Sequence, residues 1–293
     1  MKVLLCSDGS RQAALAARFL ARLVRNSQTE ITLLGIAEHP GDKNALGDAL
    51  RQTQAILAEQ GLLARTEIEE GEPISRIVSR TRKTNYNLIV IGAVRKRFDA
   101  AYAMSRKAYR IIKLVQPPVL VVIGNPQACS RILLCSSGRP VFENAVQLTG
   151  MLARSAGASV LLLHVFAEPP AIYSSLRRED EEWLRQSKSR SADTIRRQMG
   201  ILEKEGVDLR VRLRFGSATD QILEEVEAGG HDMLVVGSNP TGSAITSYLL
   251  GNVTRELINN VSRPILVTRA GAEEIRLMRR LKTMLRGREE LVL

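Results

Sequence analysis

The chain lacks most of what would hold a protein together by anything other than burial. Its 293 residues contain three cysteines, one tryptophan and only 4% aromatic residues. An odd cysteine count without close spacing excludes a disulfide framework and a zinc site of the paired-cysteine type. Cys6 and Cys135 fall at matching points of two similar segments and Cys129 lies between them. That placement suits small buried hydrophobes in a reducing, cytoplasmic compartment. Scarce aromatics argue against a stacking surface for single-stranded nucleic acid. No apolar run approaches the roughly 18–20 residues of a membrane helix, so no transmembrane segment is expected. The opening Met1–Cys6 runs into a strand pattern and breaks at Asp8-Gly9-Ser10, which is not a signal-peptide pattern. The three histidines, His39, His164 and His231, have no neighbouring nucleophile–base arrangement. A Walker lysine, zinc spacing and nucleophile elbow are also missing, so the chain reads as a non-enzyme.

What is present is a duplication. Residues Gly61 to Gly92 and Gly206 to Gly237 share one pattern across 32 positions at an offset of 145, without a gap. Gly71 matches Gly216 and Asn87 matches Asp232. The openings Val3-Leu4-Leu5-Cys6-Ser7 and Ile132-Leu133-Leu134-Cys135-Ser136 repeat at an offset of 129. Each half is long enough to bury its own core. The expected units are residues 1–125 and 130–270, joined by a short linker around Gly124–Ser130. A basic amphipathic segment, 271–293, would pack onto the body or a partner.

The formal net charge is +11, and it is uneven. Residues 1–125 hold nineteen basic and eleven acidic side chains, whereas residues 126–270 hold seventeen and sixteen. Between Arg76 and Lys113, eleven basic residues face one acid, Asp99. The cluster Arg95, Lys96, Arg97, Arg106 and Lys107 reads as a solvated basic face or as an anion or nucleic-acid contact.

Both halves alternate β-branched runs with helix-period stretches. The expected strands are Lys2–Cys6, Ile31–Ile36, Leu63–Glu69, Leu88–Gly92 and Val119–Ile123, then Arg131–Cys135, Ser159–Val165, Leu209–Phe215, Met233–Gly237 and Ile265–Arg269. Leu88-Ile89-Val90-Ile91 is apolar on both faces, as in a central strand of a parallel sheet covered by helices on both sides. Alternation of this kind gives right-handed βαβ crossovers and an open, doubly wound α/β fold. The second half has about 16 extra residues before its third strand, read as a longer solvated helix within Leu176–Gln198. Ligands of such sheets bind beyond the carboxyl ends of the strands, where strand order reverses. Those places follow Cys6, Ile36 and Gly92, and Cys135, Val165 and Gly237.

One of them carries a glycine-rich run, Gly237-Ser238-Asn239-Pro240-Thr241-Gly242-Ser243, continuing to Gly251-Asn252 at the start of a helix. Glycine lets backbone approach a phosphate, and free N–H groups at a helix start favour an anion. A plain strand-to-helix turn uses the same residue types.

The two halves resemble tandem universal stress protein domains over roughly residues 1–270. The resemblance rests on the Val-Leu-Leu-Cys-Ser-Asp8-Gly9-Ser10 opening and on Gly71-Glu72-Pro73 and Gly216-Ser217-Ala218 before the third helices. It rests also on the Asn87–Gly92 and Asp232–Gly237 strands and on the closing Pro117–Val122 and Arg263–Thr268 strands. It implies a pair of five-stranded, Rossmann-type parallel sheets of the adenine nucleotide alpha hydrolase-like kind, facing each other as an internal pseudo-dimer. ATP-binding members carry an aspartate after the first strand, an aliphatic residue ending the second, and a Gly-x2-Gly-x9-Gly-(Ser/Thr) signature. The first repeat keeps Asp8 and Ile36 but has Ala93-Val94-Arg95-Lys96-Arg97 and Ser105-Arg106-Lys107 where later glycines belong. The second keeps Val165, Gly237, Gly242 and Gly251. It has Ser137 for the aspartate, Pro240 for a glycine, Asn252 for the hydroxyl residue, and a loop one residue longer. The resemblance therefore implies ATP or another adenine nucleotide, with magnesium, in the second repeat. Gly237, Ser238, Gly242, Ser243, Gly251 and Asn252 would surround the phosphates, with Ser137 and Val165 near the sugar and base. It further implies a stress-response role without catalysis beyond slow, incidental ATP hydrolysis. A further homodimer and a protein partner are open. The alternatives are a nucleotide-free interaction scaffold and an anion or nucleic-acid binder using the basic face.

Overall fold

In the computed structural model, which describes residues 1–98, 101–138, 143–167, 180–238 and 251–269, strands and helices alternate through both repeats. The first repeat contributes β1 (Lys2–Cys6), β2 (Glu30–Ala37), β3 (Ala64–Glu70) and β4 (Leu88–Ala93), a hairpin of β5 (Arg95–Phe98) and β6 (Ala101–Met104), and β7 (Val119–Ile123). The second contributes β8 (Arg131–Ser136), β9 (Ser159–Phe166), β10 (Leu209–Phe215), β11 (Met233–Ser238) and β12 (Ile265–Arg269). Helices α1 (Arg11–Leu23), α2 (Lys43–Ala58), α3 (Pro73–Lys83) and α4 (Arg106–Leu114) belong to the first repeat. The second has α5 (Glu143–Ala156), α6 (Asp180–Gln186), α7 (Arg190–Lys204), α8 (Ala218–Ala228) and α9 (Asn252–Asn260).

Ten strands form one sheet in the order β10-β9-β8-β11-β12-β7-β4-β1-β2-β3. Within this sheet the pairings inside each repeat are parallel, and the repeats meet where β7 and β12 pair antiparallel. Leu120 faces Leu266 in that register, and Val119 faces Val267. The carboxyl ends of the two sets of strands therefore point to opposite ends of the sheet.

Two apolar layers explain this arrangement. Alternate strand residues such as Val3, Leu5, Val90, Leu134 and Val235 pack under α1, α2, α5 and α7. Their neighbours Leu4, Ile89, Ile91, Leu133 and Val236 pack under α3, α4, α8 and α9. Each layer runs unbroken across the β7–β12 seam. Strands buried on both faces need apolar residues at every position, which is why these runs do not alternate. Polar ties reinforce the seam. Arg25 Nη2 donates to the Ala156 carbonyl at 2.9 Å and Asn26 Nδ2 to that of Ser155 at 3.0 Å. Arg269 Nη2 donates to the Ile112 carbonyl.

The two five-stranded sheets expected to face each other are joined edge to edge into one through the β7–β12 backbone pairing, and the structure differs from the sequence expectations in two further places. The basic stretch after β4, read as a loop, pairs as the β5–β6 hairpin, with Arg95 opposite Met104, and β6 lies against α9 of the other repeat. The longer helix expected in the second repeat is divided. Ser189 Oγ accepts from the Ala192 N–H at 3.2 Å and starts α7 afresh after α6. Residues 271–293 lie outside the described residues. Among the described residues no helix is long and apolar enough to cross a membrane.

Candidate functional site

Strand order reverses between β1 and β4 in the first repeat and between β8 and β11 in the second. Each reversal opens a crevice beyond the strand ends, because the following helices depart to opposite faces.

In the first repeat, α1 begins hard against the end of β4. A Cβ at Gly92 would lie 2.5 Å from the Gln12 carbonyl oxygen, so only glycine admits this approach. Asp8 is exposed, and its Oδ1 accepts from the Ser10 N–H at 3.0 Å. Ile36 is half-buried near the end of β2. The mouth between them and α4 is engaged by the chain's own groups. Ser105 Oγ accepts from the Ala108 N–H at 3.3 Å and caps α4. Lys107 Nζ reaches Glu38 Oε1 at 2.6 Å, tying the first turn of α4 to the chain just after β2. The basic cluster is thus split: Arg95, Lys96 and Arg97 are on β5, while Arg106 and Lys107 are on α4, with Lys107 already paired.

The second repeat is built differently at the same points. Ser137 is exposed just beyond β8, and Val165 is half-buried on the adjacent β9. Gly237 and Ser238 end β11 on the other side of β8. Gly251 is the N-cap of α9 and contributes no side-chain cap. Asn252, exposed, is the first helical residue. The first-turn N–H groups of Asn252, Val253 and Thr254 have no acceptor among the described residues, and unpaired amides at a helix start attract negative charge. Thr254 Oγ1 donates to the Gly237 carbonyl at 3.1 Å, fixing α9 to the strand end. Among the described residues, nothing lies within 4 Å of a Cβ placed on Gly251. Gly242 and Ser243 lie outside the described residues. Ser137, Val165, Gly237, Ser238, Gly251 and Asn252 therefore border one crevice, whereas Asp8 and Ile36 belong to the crevice at the opposite end of the sheet.

His164 shapes the base of the second crevice. It is buried, with Nδ1 2.9 Å from the Ser136 carbonyl and its ring edge-on to Phe166. Burial holds its pKa below the ordinary histidine value against the hydrogen bond to Ser136. Gly138 adopts φ +65°, and a Cβ there would sit 2.7 Å from His164 Cε1. Ser136 Oγ accepts from the Gly138 N–H and donates to Gln198 Oε1 at 2.6 Å. These groups are occupied in holding the turn after β8. The cysteines are free and inert, burial pushing the Cys6 and Cys129 thiols up to about 12.

Sequence reading missed one constellation at the other end of the strands. Glu225 on α8 is 1% exposed at its side chain and accepts from Arg212, Arg214 and His231. Burial alone would raise its pKa, but the bonds from Arg212, His231 and Arg214 together hold it lowered. The matching residues of the first repeat carry the opposite charges. Arg80 on α3 meets Glu67 at 2.6 Å and Glu69 at 3.5 Å, and its Nε donates to Tyr86 Oη at 3.1 Å. The signal lay in the columns of the repeat itself: Glu67 against Arg212, Glu69 against Arg214, Arg80 against Glu225.

The sequence pattern of the universal stress protein family matches residues 1–122 and again 129–269. A universal stress protein of Mycolicibacterium smegmatis is 25% identical over 296 residues, covering 91% of this chain and 96% of that protein. A universal stress protein of Synechocystis is 30% identical over 126 residues, covering 39% of this chain and 80% of its own length. The crystal structure of a universal stress protein from Archaeoglobus fulgidus superposes with a TM-score of 0.68 at 17% identity, covering 92% of this chain and 98% of that one.

Proposed function

The chain belongs to the universal stress protein family, and from that premise we propose that it is a stress-response protein that binds one adenine nucleotide without turning it over. The first turn of α9 would hold the phosphates through its backbone amides, and magnesium would supply neutralising charge. Gly237, Ser238, Gly251 and Asn252 would border the phosphates and Ser137 and Val165 the sugar and base. The observation that carries this reading is the uncapped first turn of α9 beside Gly237, whose amides have no acceptor among the described residues. The sugar contact is thinner than in the family's pattern, because Ser137 offers a hydroxyl in place of a carboxylate. The first repeat supports a scaffold role instead: at the corresponding mouth Ser105 caps α4 and Lys107 pairs with Glu38, where the second repeat has an uncapped helix start. His164 is neutral and structurally engaged, which supports binding without general acid–base chemistry.

Gly251→Asp separates binding from folding. An N-cap carboxylate satisfies the same amides that the phosphates would take, and no described residue lies within 4 Å of the added Cβ. Calorimetry with ATP and magnesium should show at least a tenfold loss of affinity, roughly 1.4 kcal/mol or more. The melting temperature of the variant without ligand should be unchanged or slightly higher. Lys107→Ala, at the other crevice, should bind ATP as the parent does. Unaltered ATP affinity in Gly251→Asp removes the site from α9.

A further inference from the structure

A cavity of about 360 Å³ opens at the amino ends of β8, β9 and β10, under the C-terminal end of α8. It lies at the far end of the strands from the nucleotide crevice. Val160 and Val165 of β9 alone are about 17 Å apart at roughly 3.3 Å per residue. The cavity is at the small end of ligand pockets, which run from roughly 300 to 1,000 Å³. That size suits a metabolite of a few carbons rather than a nucleoside triphosphate.

Its walls are charged, and their charges are unbalanced in a way the first repeat is not. Arg131, Arg210 and Arg212 line it with Asp208, Glu225 and His231. Arg212 is held by both oxygens of Glu225, at 2.7 and 2.8 Å. Arg131 and Arg210 have no acid partner among the described residues. Their counterparts do: Lys2 meets Glu30 at 3.7 Å, and Arg65 Nε meets Glu67 at 3.2 Å. Where the first repeat has Glu30 and Glu67, the second has Ser159 and Arg212. Inversion of the buried cluster left Arg210, and the exchange of Glu30 for Ser159 left Arg131, without an ion-pair partner among the described residues. At this place the second repeat has Gly229, Gly230 and His231 where the first has Thr84, Asn85 and Tyr86. In the first repeat Tyr86 fills the matching position, 7% exposed. In the second, a Cβ on Gly229 would lie 2.3 Å from His231 Nε2, and one on Gly230 would lie 2.7 Å from Arg131 Nη2. Both glycines let charged or polar rims close in. His231 is itself 94% buried, at 6% exposure, and its Nδ1 has no hydrogen-bond partner while Nε2 faces Glu225 Oε1 at 3.2 Å. With Nε2 turned to that carboxylate, Nδ1 is a buried polar atom left for a ligand group to pair.

We propose that this cavity binds a small hydroxylated organic anion, its phosphate or carboxylate held by Arg131 and Arg210 and its hydroxyl groups turned toward His231 and Asp208. Planar guanidinium groups recognise such oxyanions by paired, charge-assisted bonds. The apolar floor of Ile132, Val160 and Leu161 takes the short carbon chain. The site is independent of the nucleotide crevice.

Calorimetry on the full chain tests it, with glycerol 3-phosphate and glycerate as probes and glycerol as the neutral control. At least one of the two anions should bind at millimolar concentration or below and glycerol should not. Which anion binds decides between phosphate and carboxylate. Arg210→Ala and Arg131→Ala, both at exposed positions, should each weaken the anion about tenfold, and His231→Tyr, which restores the first repeat's side chain, should abolish binding. Gly251→Asp should leave this binding unchanged. No heat from either anion at about 10 mM overturns the proposal. So does binding that survives unaltered in both arginine variants.

Discussion

At the scale of single residues, the chain's departures from its own repeat are the informative positions. His164 occupies the place of Gly35, and its imidazole is buried among Ser136, Gly138 and Phe166. Its folded pKa lies below the ordinary value of 6.5, so the unfolded chain takes up the proton first as pH falls. The stability it contributes is complete above about pH 6.5 and is lost below, through the folded pKa. Thermal unfolding followed from pH 7.5 to 5 should show a falling melting temperature, and His164→Gln should flatten that fall. Equal slopes in parent and variant would remove His164 as the cause. Some of this was open to inspection: His164 reads as a core or strand-end residue from its place in an apolar run. Its contact with Gly138 was not, because a left-handed glycine and the ring it accommodates are 26 positions apart.

At the scale of elements, the ten main strands were legible because burial on both faces demands unbroken apolar runs, and the structure moves their ends by no more than one residue. The β5–β6 hairpin was not legible. Arg95-Lys96-Arg97-Phe98 has no apolar alternation, and its pairing is completed against α9 of the other repeat. The restart at α7 was available in Ser189, which caps the helix, but a continuous charged stretch masked it. The strand–helix charge clamp is the element-scale feature with the clearest energetic consequence. Glu225→Arg alone would bury a cation against Arg212 and Arg214 and should cost at least about 3 kcal/mol. Adding Arg212→Glu and Arg214→Glu rebuilds the first repeat's polarity and should recover at least half of that loss in urea unfolding. A triple variant no more stable than the single one would show that the clamp is not transferable between repeats.

At the scale of the whole molecule, duplication produced two crevices and two clamps, and each pair has diverged. The join between repeats was hidden from sequence reading, since β7 and β12 are apolar like every other central strand and nothing local names a neighbour. The seam makes a prediction of its own. Residues 129–269 expressed alone would expose the β12 edge, and an unpaired apolar edge seeks another strand. That fragment should sediment as a dimer at about 50 μM, and Val267→Lys should make it monomeric; a monomeric parent fragment would mean that β12 does not drive the join. The candidate site was half legible. The glycine run pointed to α9, but the engagement of Ser105 and Lys107 with the chain's own groups at the first crevice emerged only in three dimensions. That asymmetry is the centre of the account, and binding stoichiometry reads it directly. Titration of the intact chain with ATP and magnesium should give one nucleotide per chain. Two per chain, or no heat at several hundred micromolar ATP, would contradict it.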